Sequence, residues 1–100
     1  MPSKEGFINF IKTHTNKERN YYKITNDVYK QMMFKQVITP FLETVRPHYQ
    51  LSKLFYINRK MTYSRFITII RHICKMVDIT YTSKMKYSNS SYRIDYYIYL

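Results

Sequence analysis

The chain has 100 residues and carries 17 Lys and Arg against 6 Asp and Glu, a formal net charge of +11. That length predicts one domain over residues 1–100, with a core too small to enclose a roomy substrate cavity. A charge of this sign exceeds what solubility asks of so small a domain and favours a polyanion as partner: DNA, RNA, an anionic membrane surface or an acidic protein.

In chain order, residues 3–13 predict a short helix, because Phe7, Ile8, Phe10 and Ile11 recur at helical spacing and Ser3 can cap it behind Pro2. The opening MPSKEGFINF has no apolar h-region, so no secretory leader is expected, and no apolar run approaches the ~20 residues of a membrane span. Residues 14–24 are polar and basic and predict a loop. Residues 25–77 predict a helical part. Thr25, Asn26 and Asp27 supply cap residues before VYKQMMFKQVI, and Thr39 with Pro40 reads as a cap and first helical residue. Pro47 breaks the pattern, HYQLSKLFYI predicts a further short helix, and Thr62 caps YSRFITIIRHICK.

The period then changes from helical to alternating. Ile79, Tyr81, Ser83, Met85 and Tyr87 alternate with polar residues, and so do Tyr92, Ile94, Tyr96, Ile98 and Leu100 after SNSS. Residues 78–100 therefore predict a β-hairpin. With Asn89–Ser90 as the turn, Tyr87 faces Tyr92, Met85 faces Ile94, Tyr81 faces Ile98 and Lys84 faces Asp95, an opposite-charge pair. The same register sets Lys86 against Arg93, a mismatch of like charges near the tip. The expected fold class is α+β: three to five short helices followed by a C-terminal antiparallel β-hairpin, in a winged-helix-like order.

Catalytic and metal chemistry find few residues to use. On a helix, Phe66, Ile69, Ile70, Ile73 and Val77 share a narrow arc, while Ser64, Arg65, Thr68, Arg71, His72 and Lys75 lie opposite. His72 and Cys74 then sit about 200° apart around the axis and cannot share a small ligand. His14, His48 and His72 fall in separate segments, the carboxylates form no close pair, and Cys74 is the only cysteine. Cys74 is expected to be a half-buried, inert thiol at the edge of the apolar arc. The lone glycine, Gly6, excludes a Gly-rich phosphate loop. No enzyme activity, metal or cofactor is expected.

A helix can pack one face and bind with the other. Helix, helix, capped helix and hairpin is the order in which a winged helix-turn-helix sets its last helix into the major groove. Ser64, Arg65, Thr68, Arg71 and Lys75 would then reach phosphates or base edges, and Lys84, Lys86 and Arg93 would meet the adjacent backbone from the hairpin. The expected function is nucleic-acid binding, DNA ahead of RNA. The rival class is a structural assembly protein whose outward Tyr97 and Tyr99 form a sticky sheet edge against neighbouring subunits. Tyr21, Tyr22, Tyr97 and Tyr99 all fall outside the apolar alternation, and tyrosines beside Lys or Arg also suit stacking on single-stranded bases. Abundant Ile, Lys, Asn and Tyr with no alanine mark an AT-rich coding sequence, as in a large DNA virus, a protist or an organelle. The expected setting is inside a cell or a virus particle, with no disulfide framework.

Overall fold

A computed structural model of the chain describes residues 2–45 and 61–100. Among these residues, four helices are formed: α1 (Pro2–His14), α2 (Asn26–Phe34), α3 (Ile38–Val45) and α4 (Tyr63–Met76). Four strands, β1 (Asn16–Glu18), β2 (Tyr21–Ile24), β3 (Thr80–Ser88) and β4 (Ser91–Tyr99), make one antiparallel sheet in the order β1-β2-β4-β3. The fold is α+β, as its alternating and helical periods imply. The expected helix over HYQLSKLFYI and the break at Pro47 lie outside the described residues.

The caps act where the sequence places them. Thr25 precedes α2 and its hydroxyl accepts from the Val28 amide at 3.1 Å; Thr62 does the same for the Arg65 amide at 3.1 Å before α4. Two boundaries differ from expectation. The first helix begins at Pro2, which puts Ser3 inside it rather than at its cap. The third begins at Ile38, so Pro40 occupies its first turn, where a missing amide costs no helical hydrogen bond.

Both α2 and α4 end in left-handed residues that are not glycine. After α2, Gln36 has φ 57°, and the Val37 and Gln36 amides return to the Met32 and Met33 carbonyls at 3.3 and 3.1 Å. After α4, Asp78 has φ 61° and the Ile79 amide reaches the Cys74 carbonyl at 2.9 Å. These are Schellman-type closures, which glycine fills without steric cost. Gln36→Gly should therefore raise stability by about 1 kcal/mol, from relief of the left-handed strain. Urea unfolding checks it, and a loss of stability would mean the Gln36 side chain does more than tolerate its backbone.

The segment expected as a basic loop, residues 14–24, is a correction. It folds as the hairpin β1–β2, with Asn16 opposite Lys23 and Glu18 opposite Tyr21. Its turn contains Arg19 at φ 48°, where neither Gly nor Pro announces a bend. Strand β2 then pairs with β4: Tyr22 faces Ile98, Lys23 faces Tyr97 and Ile24 faces Tyr96. Tyr22 and Ile24 thus turn inward while Tyr21 and Lys23 turn outward. Tyr22 packs against the core rather than standing outside it.

The C-terminal hairpin has the expected register throughout, from Ser88 opposite Ser91 to Tyr81 opposite Ile98, including Lys84 opposite Asp95. Its turn residue Asn89 takes φ 49°, a conformation asparagine tolerates better than most residues.

The helices pack on one side of the sheet. Phe7, Ile11, Met32, Ile38, Leu42, Phe66, Ile69 and Ile73 from the helices join Ile24 and Ile98 from the strands in a single buried cluster. Phe10 stacks on Phe41 at 3.9 Å between ring centres, tying α1 to α3. Tyr63 fastens α4 across the sheet by donating to the Ile94 carbonyl at 2.8 Å, with the Ile24 carbonyl at 3.3 Å. Tyr29 donates to the Met61 carbonyl.

Candidate nucleic-acid interface

The polar face of α4 lies outward. Ser64, Arg65, Thr68, Arg71 and Lys75 are exposed, while Phe66, Ile67, Ile69, Ile70, Ile73 and Cys74 are buried. Some of these polar residues also have work within the fold. The Thr68 hydroxyl donates to the Ser64 carbonyl at 3.0 Å, and Arg71 donates from Nε to the Tyr81 hydroxyl at 3.1 Å with its guanidinium 5.5 Å from the ring centre. Arg71 thus clamps α4 to β3. That hydrogen bond also raises its basicity above the ordinary arginine value.

Cys74 is fully buried rather than half-buried, because the turn at Asp78 folds Ile79 back toward the end of α4. Burial pushes its thiol up to about 12, which removes the thiolate that nucleophilic or metal chemistry would need. Among the described residues, no three His, Cys, Asp or Glu side chains gather in a metal-holding cluster.

The basic residues of the hairpin point elsewhere. Ile94, Tyr96 and Ile98 face the helices, so Arg93, Asp95, Tyr97 and Tyr99 face the other way, together with Thr82, Lys84 and Lys86 across from them. From β2, Tyr21 and Lys23 join this outer face. The two halves of the expected site therefore lie on opposite faces of the sheet: α4 on one, Lys84, Lys86 and Arg93 on the other. They approach at the hairpin's flank. Ser64 and Arg93 both line a cleft of about 440 Å3 between the start of α4 and β4, with Asn26, Tyr63, Ile67 and Tyr92.

At the centre of the outer face is Asp95, whose side chain is 0% exposed although the cations around it reach solvent. Lys86 approaches Oδ2 at 3.4 Å, Lys23 the same oxygen at 3.9 Å, and Arg93 comes within 3.7 Å of Oδ1. Neither carboxylate oxygen has a hydrogen-bond partner among the described residues. The contacts are mainly those of charge, three cations converging on one carboxylate. The expected Lys84–Asp95 pairing holds as register, but the ion pairs come from the diagonal Lys86, from Arg93 two residues back on the same strand, and from Lys23 on β2. The anticipated repulsion between Lys86 and Arg93 is relieved because both turn onto one carboxylate.

Beside this cluster lie three tyrosines. Tyr21 meets Tyr97 at 4.8 Å and Tyr99 at 5.9 Å between ring centres, in edge-on contacts. All three are half-buried. The expectation that Tyr97 and Tyr99 form a sticky sheet edge is corrected: β4 is an interior strand, paired with β2 on one side and β3 on the other. The sequence groups Tyr21 with Tyr97 and Tyr99 outside the apolar alternation, but sequence reasoning missed Lys23 and the strand that sets Tyr21 and Lys23 on this surface. Their outward alternation against Tyr22 and Ile24 was the available signal, in a strand of only four residues.

No protein-family model, characterised protein or solved structure matches the chain. No described helix is long and apolar enough to cross a membrane.

Proposed function

We propose that this chain is a non-enzymatic basic module that binds nucleic acid. The observation that carries the reading is the segregation of charge on the outer sheet face. Lys23, Lys84, Lys86 and Arg93 gather there around one carboxylate, Asp95, which is itself withdrawn from solvent. Four cations against two carboxylates on this face, Asp95 and, at the far corner, Glu18 opposite Tyr21, leave the surface positive, and the whole chain at +11 deepens that field. The exposed Ser64, Arg65, Thr68 and Lys75 of α4 form a second basic surface, suited to phosphates or base edges of DNA.

Mutation of each surface separates them. In fluorescence anisotropy with labelled DNA, removing one phosphate-binding cation should flatten log K against log salt by about 0.7 for a single strand or 0.9 for a duplex. Lys84→Ala with Lys86→Ala should flatten the slope by up to about two such steps, and Arg65→Ala with Lys75→Ala reports the share of α4. If neither pair changes a measurable slope, the cations are solvated and unused.

A second reading, a structural protein of a virus particle or ribonucleoprotein, is favoured by a different observation. Toward the hairpin tip, Tyr87 is 78% and Tyr92 64% exposed, with Met85 also exposed on the same face. Exposed aromatics of this kind suit contact with a neighbouring subunit. On that reading, Tyr87→Ser with Tyr92→Ser would abolish assembly and leave nucleic-acid affinity alone.

A further inference from the structure

We infer that the outer face of the sheet is a platform for single-stranded nucleic acid, on which bases lie against Tyr21, Tyr97 and Tyr99 while phosphates meet Lys23, Lys86 and Arg93. This rests on the nucleic-acid reading and adds to it the class of strand and the residues that discriminate. Tyr97 and Tyr99 occupy the C-terminal half of β4's outer face, and Asp95 and Arg93 continue the same row toward the tip. Across the sheet, Tyr21 and Lys23 repeat that division on β2, and Lys84 and Lys86 extend the basic half on β3. The face is thus divided into a cationic end and an aromatic end, at whose corner Glu18 of β1 accepts from the Tyr21 hydroxyl at 3.3 Å.

A duplex offers its phosphates outward but hides its base faces in its own stack, so it could use only the cationic end. A single strand offers both, and a π-face stacks on any base whatever its identity. The tyrosines touch one another edge-on rather than in parallel, so none of the three closes another by stacking flat upon it. Outer-face residues are absent from the helix-facing core cluster.

Asp95 supplies the second observation. Its carboxylate is buried with no hydrogen bond from the described residues, which costs free energy unless something is gained. Here it draws the Lys23, Lys86 and Arg93 heads to one point at 3.4–3.9 Å. The group keeps an excess of positive charge, pre-set for the phosphates of a strand passing over it.

The test uses the full chain, a labelled deoxythymidine strand of about 12 nucleotides and a duplex of the same length, within the size range of small single-strand-binding domains. Wild type should bind the strand more tightly than the duplex at equal salt. Tyr97→Leu with Tyr99→Leu, which keeps apolar bulk and removes the π-faces, should weaken strand binding about tenfold or more. Tyr97→Phe with Tyr99→Phe should retain it. Should the Leu pair fail to fold, amide chemical shifts of the wild-type chain answer the same question. Addition of the strand should move residues of β2 and β4 on the outer face. Duplex binding as tight as strand binding, an unaffected Leu pair, or shifts confined to α4 would overturn the inference while leaving nucleic-acid binding intact. Failure to bind either probe would defeat both.

Discussion

Replacing Phe66 by alanine should cost about 3–5 kcal/mol of stability, the range for emptying a fully buried aromatic site. Phe66 is 0% exposed, sits on the inner face of α4 and has its ring 5.3 Å from that of Tyr29. Tyr29 in turn holds the Met61 carbonyl just before α4 begins, so the cavity would open where α2, α4 and the entry to α4 meet. A domain of this size is stable by about 5–15 kcal/mol in total, and the variant would lie near its unfolding threshold. Urea unfolding should show the midpoint falling by at least ~1 M with m unchanged. A loss below about 1 kcal/mol would mean that α4 does not organise the core as described.

Stability should also fall steeply above pH 9. The Cys74 thiol, ordinarily at 9.0, is pushed up to about 12 by burial. The Tyr63 hydroxyl is raised well above its ordinary 10.0 by burial and then by the neighbouring Asp95 charge. Both groups are neutral as acids, so in the unfolded chain they lose protons near their ordinary values while the folded chain retains them. Where the folded state binds more protons, stability declines as pH rises, by up to about 1.4 kcal/mol per pH unit for each group. Well below pH 9 neither contributes a slope. Urea titrations from pH 8 to 11 should show the decline, and Cys74→Ala, although less stable at pH 8, should show a shallower one. Equal slopes for the two proteins would remove Cys74 from the explanation.

How much of this was legible in the sequence depended on the length of each signal. Two runs of nine residues around Asn89–Ser90 specify one register, because a slip by one would turn Ile94 and Ile98 to the outside. Thr25 and Thr62 were visible as caps because each stands just before a long apolar period. Strand β1 has three residues, none of them buried, and no alternation can be read from so few. Missing β1 and β2 had consequences at the site. Without β2, β4 looked like an edge, Tyr97 and Tyr99 looked like adhesive, and Asp95 looked like a surface partner for Lys84. Once Lys23 and Tyr21 are placed beside them, the same residues become a covered carboxylate and an aromatic cluster. Arg71 shows the opposite error: exposure was foreseen, but its bond to Tyr81 depends on how α4 meets β3, which periodicity alone does not encode.

The central claim, that the positive surface exists to hold nucleic acid, is tested most directly by the salt dependence of wild-type binding to a labelled single strand of about 12 nucleotides. Three phosphates engaged by Lys23, Lys86 and Arg93 predict a slope of log K against log salt of about −2 or steeper. No binding at low salt, or an affinity indifferent to salt, would contradict it.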